Sequence, residues 1–224
     1  MSRLNHFINT LKERKKLLRC IFGTLIFQLF ITVVVLFYLL NNSNLLTKIN
    51  ESFSNFFLLL IIFTISLLLI YFISTNNFSF SIKFLLFSIL GLFQGLFLSL
   101  VGQYIPINII KSVIVSTLII FIFFLLVGLI IVYLNIDLSW LGSYLILLLL
   151  GLILYQIIIL FIPYQDRLKS IGITLILMLF SVFIIYDTNI ILMKSKIGNR
   201  DCISSALDYY LDILNIFSAL LNNE

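Results

Sequence analysis

The sequence has little charge for its length. Charged residues make up 10% of the 224 residues, hydrophobic residues make up 62%, and the mean hydropathy is +1.22. Soluble domains carry about 25% charged residues. A water-soluble fold of this size could not cover so much apolar surface with so few charges. The sequence therefore predicts an integral membrane protein with several spans.

Histidine and cysteine are nearly absent as well. The single histidine, His6, lies in a basic N-terminal segment, which excludes histidine catalysis or a histidine metal cluster within the membrane. The two cysteines, Cys20 and Cys202, are far apart in the sequence and form no CxxC pair. A disulfide framework would need more cysteines, so we expect two ordinary reduced thiols.

Positive charge is concentrated at the N-terminus. The net charge is +5, and residues 1–19 contain Arg3, Lys12, Arg14, Lys15, Lys16 and Arg19. The apolar run that follows, 20–40, is longer than the roughly 7–15 residues of a signal-peptide core, so we expect an uncleaved first span. We interpret 1–19 as a basic cytosolic segment that contacts anionic lipid headgroups, and we expect no nucleic-acid partner.

Long apolar runs fill the rest of the chain. A helix needs about 20 apolar residues to cross the hydrocarbon core. The sequence predicts one transmembrane domain over residues 20–221, with spans at 20–40, 56–74, 83–101, 112–134, 140–162, 171–193 and 203–221. Solid apolar runs argue against a β-barrel. The predicted fold is an all-α membrane protein, either a seven-helix transmembrane bundle or six spans plus a re-entrant C-terminal segment.

The orientation follows from the Lys and Arg residues between the spans. With the N-terminus inside, the inner segments hold the six N-terminal residues plus Lys83, Lys194, Lys196 and Arg200. The outer segments hold Lys48, Lys111, Arg167 and Lys169. An inner excess of Lys and Arg predicts a cytosolic N-terminus.

Two glycines in the third predicted span form a GxxxG pair, Gly91 and Gly95. At helical spacing they open a flat strip on which another helix can approach closely. The sequence leaves two interpretations open: packing within one molecule, or formation of a homodimer.

Three aspartates lie in the last two predicted spans. Asp187 is two-thirds of the way along the sixth, and Asp208 and Asp212 share one face of the seventh because they are four residues apart. An ionised Asp at the centre of a membrane helix costs about 2.5–3.5 kcal/mol. We expect these acids to be protonated, share protons, bind a cation such as Ca²⁺, or face water. In the alternative interpretation, Asp187 and Asp208 lie in headgroup water without a functional role.

An enzyme interpretation competes for the same residues. Intramembrane aspartyl proteases also use two membrane aspartates, one of which follows a tyrosine as Asp187 follows Tyr186. Their second aspartate lies in a GxGD motif, whereas Asp212 ends the stretch Tyr-Tyr-Leu-Asp, which has no glycine. We therefore expect no enzyme, and the protease remains the weakest hypothesis.

The C-terminal third resembles the transmembrane Bax inhibitor motif family, which includes the lifeguard and Golgi anti-apoptotic proteins and bacterial relatives. The matched stretches are Tyr186-Asp187-Thr188, the run Ala206-Leu207-Asp208-Tyr209-Tyr210-Leu211-Asp212-Ile213-Leu214-Asn215-Ile216-Phe217, Asp137-Leu138-Ser139-Trp140-Leu141-Gly142, and Gln28-Leu29 with Thr32. The last 40 residues carry most of the resemblance.

The resemblance implies a seven-helix fold in which Asp187 and Asp212 form a proton-sensitive pair. This pair would guard a Ca²⁺ leak path and serve as ligands of the transported ion, while Asp208 falls at a variable position. No cofactor is implied. The sequence departs from the family in two places: residues 56–74 lack the arginine that latches the acids in the bacterial type, and a family-like Pro-x-Asn is missing before the third span.

The function implied is a pH-sensitive calcium leak channel or Ca²⁺/H⁺ exchanger. It would inhibit apoptosis by lowering stored calcium in the Golgi or endoplasmic reticulum. In a virus the membranes would be those of the host, and in a bacterium the inner membrane. The alternative is a non-conducting membrane protein that modulates cell-death regulators or ion channels, or assembles as a homo-oligomer, through its lipid-facing helices and the Gly91/Gly95 strip.

Overall fold

The structure is a computed structural model that describes residues 2–42, 55–75, 78–160, 166–193 and 201–223. All regular elements in these ranges are α-helices, which confirms the predicted all-α fold. They are α1 (Ser2–Asn41), α2 (Asn55–Thr75), α3 (Phe80–Gly102), α4 (Ile107–Tyr133), α5 (Leu141–Leu160), α6 (Asp166–Met193) and α7 (Cys202–Leu221). Each predicted span overlaps one helix.

The helix bounds differ from the predicted spans most clearly at α1. The basic segment 1–19 is not separate from the first span, because α1 continues without a break from Ser2 to Asn41. Lys, Arg, Glu and Leu are all good helix formers, so the helix has no reason to stop at the edge of the apolar run. At 1.5 Å per residue, this 40-residue helix is about 60 Å long, roughly twice the thickness of the hydrocarbon core.

Six of the helices, α1 to α6, are long and apolar enough to cross a membrane. The 20 residues of α7 also suffice for a crossing by length, about 30 Å, but this helix carries Asp208 and Asp212. Most of its side chains are buried within the protein, including Tyr209 and Tyr210. In α5, by contrast, large leucines and isoleucines are exposed, as expected for a helix that faces lipid. Helix α7, despite its two aspartates, is thus mostly buried within the protein.

The chain forms two compact units. We call Leu17–Ile107 with Asp201–Tyr210 the N-terminal unit, and Met1–Lys16 with Asn108–Arg200 and Leu211–Glu224 the C-terminal unit. The boundary falls within α7, so this helix contributes its first half to one unit and its second half to the other. In the N-terminal unit, buried Leu39, Ile62 and Leu100 form an apolar cluster where α1, α2 and α3 pack together.

The starts of α3 and α7 lie together at one end of the N-terminal unit, beside Cys20 in the middle of α1. Cys20, at the start of the first predicted span, forms a disulfide with Cys202 at the start of α7, with the two Cα atoms 5.9 Å apart. Lys83 in the first turn of α3 forms an ion pair with Asp201. The first residues of α7 are thus connected both to α1 and to α3.

The prediction of two reduced thiols is therefore wrong. Cys20 and Cys202 are 182 residues apart in the sequence, and that separation carried no information about distance. The two residues meet because α1 and the start of α7 belong to the same compact unit.

Several residues of the sequence argument lie outside the described ranges. These include Lys48, Lys194, Lys196 and Arg200, all of which entered the Lys and Arg count for orientation.

Candidate functional site

Two of the three predicted acids are buried in the same compact unit. Asp187 in α6 is 6% exposed and Asp212 in α7 is 4% exposed, and both belong to the C-terminal unit. Asp208 is one helical turn before Asp212 but is only half-buried, and it belongs to the N-terminal unit. Asp187 and Asp212 are thus enclosed by protein, whereas Asp208 is partly accessible.

Asp187 and Asp212 also lie away from the ends of their helices. Asp187 is six residues before Met193, where α6 ends, and Asp212 is near the middle of α7. Water reaches a carboxyl near a helix end far more readily than one in this position. A buried carboxyl needs a hydrogen bond, a shared proton or a bound cation, so both groups are suited to exchange protons or hold ions.

The residues on either side of Asp187 fit against two glycines of neighbouring helices. The Tyr186 hydroxyl lies where a side chain at Gly142 of α5 would begin. A Cβ at Gly128 of α4 would lie 2.8 Å from the Cβ of Thr188. Both helices can therefore approach α6 closely only because these positions lack side chains. The two glycines therefore allow α4 and α5 to pack closely against α6 on either side of Asp187.

Asn189 fastens the same stretch of α6 to the connection between α4 and α5. Its side chain is fully buried, and its Nδ2 donates a hydrogen bond to the backbone oxygen of Ile136 over 2.8 Å. Its Oδ1 accepts one from the backbone N–H of Leu138 over 3.0 Å. A single amide thus pairs two backbone groups of the connection with α6. Sequence reasoning missed this residue, although an asparagine within a long apolar run was a visible signal.

The connection itself is a tight turn that explains part of the family-like stretch at residues 137–142. Asn135 has a φ of 60°, a left-handed conformation that asparagine adopts more readily than most residues. The Asp137 carboxylate accepts hydrogen bonds from the backbone N–H and the hydroxyl of Ser139, at 2.8 and 3.1 Å. These bonds organise the chain just before α5 begins, so Asp137 has a structural role at an exposed position.

We expect Asn189→Leu to lower the free energy of unfolding by about 2 kcal/mol. The substitution removes two hydrogen bonds to the partly buried backbone groups of Ile136 and Leu138, and each such bond contributes about 1 kcal/mol. Thermal unfolding in detergent would measure the loss. Asn42→Leu is the matched control, because Asn42 is exposed and its side chain donates to the backbone oxygen of Tyr38 in the last turn of α1. Equal effects of the two substitutions would contradict the assigned role of Asn189.

A second polar cluster lies in the N-terminal unit, on α1. The Gln28 side chain donates to the backbone oxygen of Phe87 over 2.7 Å. The Thr32 hydroxyl donates to the backbone oxygen of Gln28 over 3.0 Å, so it can accept a proton from the Tyr210 hydroxyl, which is 2.7 Å away. Gln28 and Thr32 thereby connect α1 with α3 and α7. Both were singled out by the resemblance, and the structure gives them a packing role.

The glycine strip of α3 faces α1. A Cβ at Gly91 would lie 2.7 Å from Nε2 of Gln28, and a Cβ at Gly95 would lie 2.9 Å from the backbone oxygen of Thr32. Both glycines are therefore covered by a helix of the same molecule. This is the arrangement that packing within one molecule requires.

Comparison with known proteins agrees with the residues that suggested a family. A family model described as "Inhibitor of apoptosis-promoting Bax1" matches residues 14–223, which include all of α2 to α7 and most of α1. Bax inhibitor 1 of Drosophila melanogaster is 46% identical over 41 residues, which is 18% of this chain and 17% of that protein. The pairwise likeness to this relative is thus short, whereas the family match extends over nearly the whole chain. The predicted resemblance is confirmed, and the chain belongs to the Bax inhibitor family, as a multi-pass membrane protein.

Proposed function

We propose that the protein is a pH-sensitive calcium leak pathway, either a channel or a Ca²⁺/H⁺ exchanger, in which Asp187 and Asp212 control the flux. The observation that carries the proposal is the burial of these two carboxyls, more than nine-tenths each, in one compact unit of a membrane protein. Membrane proteins rarely retain acids at such positions unless they serve an ion or proton pathway.

The chemistry of two enclosed carboxyls suits this task. When they are protonated they are neutral, and the surrounding helices can pack around them without a charge penalty. When they lose their protons they are negatively charged and attract a divalent cation. Carboxylate oxygens are the ligands that Ca²⁺ prefers, and it takes six to eight oxygens when tightly bound. Two aspartates supply too few for tight binding, so Ca²⁺ would be held weakly, as a transported ion requires.

The surroundings of the acids support a transient site over a resident metal site. Among the described residues, no group of three or more His, Cys, Asp and Glu side chains is placed to hold a metal ion. Transport of this kind needs no catalytic group and no cofactor.

We propose that the N-terminus faces the cytosol and that the protein resides in the Golgi or endoplasmic reticulum, or in the inner membrane if the source is bacterial. Within the C-terminal unit, the ring of Phe7 packs against that of Tyr133 with centroids 5.7 Å apart. The start of α1 and the end of α4 therefore lie at the same end, as four crossings require. Lowered calcium stores would give the protein its role in damping apoptosis.

The test is Ca²⁺ efflux from liposomes that contain the purified protein, measured at pH 6, 7 and 8 (about one unit on either side of neutrality, where a carboxyl of a coupled pair can titrate). We expect the leak to rise with pH, and we expect Asp212→Asn and Asp187→Asn to remove this dependence. Asp137→Asn is the control, because Asp137 is exposed in the turn between α4 and α5. A calcium-tight wild type would instead favour a non-conducting protein that modulates other membrane proteins. A pH-dependent leak that both substitutions leave unchanged would refute the role of the acids.

A further inference from the structure

The disulfide joins helices α1 and α7. Cys20 begins the predicted first span and Cys202 is the first residue of α7, and the sequence contains no other cysteine. Cys20 is half-buried, whereas Cys202 is only 9% exposed. Cys20 is therefore the more exposed of the two cysteines.

The inference rests on the proposed orientation, in which this end of the N-terminal unit faces the cytosol, a reducing compartment. Cys20 directly follows Arg19, the last of the basic residues in 1–19, and Lys83 lies at the same end of the N-terminal unit. Positively charged flanks are typical of the cytosolic side of a membrane. Cytosolic thiols are kept reduced, and disulfides that do form there are usually transient and serve redox sensing or catalysis.

We propose that Cys20 and Cys202 form a reversible thiol–disulfide switch that locks the start of α7 to α1. Its modifying agents are a small cytosolic thiol and the corresponding small disulfide, such as the two forms of glutathione. Oxidation couples the two helices covalently, and reduction leaves them joined by noncovalent contacts alone. The switch acts on the helix that also carries Asp212.

Reduction proceeds in two balanced steps. A small thiolate attacks the accessible Cys20 sulfur and forms a mixed disulfide, while the bond between the cysteines breaks and its electron pair leaves with Cys202, which then takes a proton. A second small thiolate attacks the small-molecule sulfur of the mixed disulfide and releases Cys20, which is also protonated. In total, two small thiols are oxidised to one small disulfide and the protein gains two thiols. Oxidation is the reverse exchange with the small disulfide.

The position of Cys202 makes it a suitable leaving group. It is the first residue of the 20-residue helix α7, where the positive end of the helix dipole stabilises a thiolate. The hydroxyl of Thr24, one turn beyond Cys20 on α1, lies 3.8 Å from the Cys202 sulfur and can donate to it. The adjacent Lys83–Asp201 ion pair contributes no net charge.

The reduced form still has contacts that hold α7 in place. The ion pair between Lys83 and Asp201 connects the helix with α3, and the hydrogen bond between Thr32 and Tyr210 connects it with α1 two turns further along. Reduction is therefore expected to loosen the first turns of α7 without unfolding the protein. The reduced and oxidised forms would thus differ in the mobility of the start of α7 while both remain folded, as a switch requires.

The first test measures the thiol state of the full-length protein in membrane vesicles. The vesicles are equilibrated under native conditions with glutathione buffers that range from fully reduced to fully oxidised, and the protein is then denatured and labelled with polyethylene-glycol maleimide. The chain has two cysteines, so we expect the protein to take two labels in the reduced buffers and none in the oxidised buffers. We expect this change to be reversible. Failure to take label in any buffer, two labels in every buffer, or disulfide-linked dimers on a non-reducing gel would each overturn the proposal.

The second test asks whether the disulfide locks the helices. The oxidised protein is expected to unfold at a temperature several degrees above that of the reduced protein, because the bond closes a loop of more than 180 residues in the unfolded chain. Protease cleavage near the start of α7 should be faster in the reduced form. The double variant Cys20→Ser/Cys202→Ser should unfold and be cleaved like the reduced wild type, whatever the buffer. Identical cleavage of the two wild-type forms would refute the lock, and neither readout depends on calcium transport.

Discussion

Gly95→Ala is expected to lower the free energy of unfolding by about 1–3 kcal/mol, the usual cost of overpacking a tight interface. The added Cβ would lie 2.7 Å from the Cβ of Val35 and 2.9 Å from the backbone oxygen of Thr32. Neither atom can rotate away. The Thr32 oxygen belongs to the backbone, and the Val35 Cβ is bonded directly to the backbone of α1. Helix α3 would have to move away from α1, which would weaken the polar contacts that Thr32 makes.

Two other glycines provide the comparison for this prediction. Gly23→Ala is the matched control, because no atom lies within 4 Å of its added Cβ. Alanine is a better helix former than glycine by about 1 kcal/mol, so this control should be neutral or stabilising. Gly91→Ala should fall between the two, since its Cβ meets the movable amide of Gln28, which would lose its bond to Phe87.

Thermal unfolding and size-exclusion chromatography in detergent separate the two interpretations of the GxxxG pair. Packing within one molecule predicts a lower melting temperature for Gly95→Ala with the oligomeric state unchanged. A variant that keeps the wild-type melting temperature but loses an oligomer would show that the strip joins two molecules. In that case the contact between α3 and α1 would not limit stability.

The helical fold could be predicted from the sequence because membrane insertion leaves a strong local signal. A run of about 20 apolar residues has few alternatives to a helix in lipid, where the backbone must satisfy its own hydrogen bonds. The start of α1 was harder to predict, because residues 1–19 form a helix for reasons of propensity and not hydropathy. The burial of α7 was also hidden, since two aspartates on one face are compatible with a surface helix as well as a central one.

The candidate site could be predicted only in part. Asp187 and Asp212 stood out because an acid in an apolar run is costly wherever it lies. Asn189 and Gly128 carry no charge, and their importance depends on which residues of other helices they meet. The pairing of Cys20 with Cys202 depends in the same way on how the helices fold back. Contacts between distant segments leave no periodic pattern in a single sequence.

The ion pair at the start of α7 should respond very differently to the loss of each partner. The Lys83 side chain is 7% exposed, whereas that of Asp201 is 42% exposed. Asp201→Ala would leave a buried ammonium group without its carboxylate, at a cost of about 3 kcal/mol or more. It would also remove the helix cap, because an Asp201 oxygen accepts the N–H of Ser204 over 2.7 Å, and a lost cap costs about 1 kcal/mol.

Lys83→Met should cost much less, about 1 kcal/mol or below. Methionine retains most of the buried aliphatic volume, and the remaining carboxylate is exposed enough for water to solvate it. Asp201→Asn separates the two contributions, because its amide oxygen can still cap α7 while the charge is lost. Thermal unfolding of the three variants should give the order Asp201→Ala, Asp201→Asn, Lys83→Met, from most to least destabilised. Equal losses for the first and the last would contradict the asymmetry.

The same pair predicts how stability depends on acid. Partial burial raises the pKa of Asp201, but hydrogen bonds from Lys83 and Ser204 outweigh it and hold the pKa below the ordinary value of 3.8. A carboxyl whose pKa is lowered by folding contributes stability above its unfolded pKa and loses it as the pH falls through the folded value. As the pH falls from 5 to about 2, the free energy of unfolding of the wild type should therefore decrease by this contribution. The free energy of unfolding of Asp201→Asn should decrease less over the same range. Parallel curves for the two proteins would show that the ion pair does not stabilise α7.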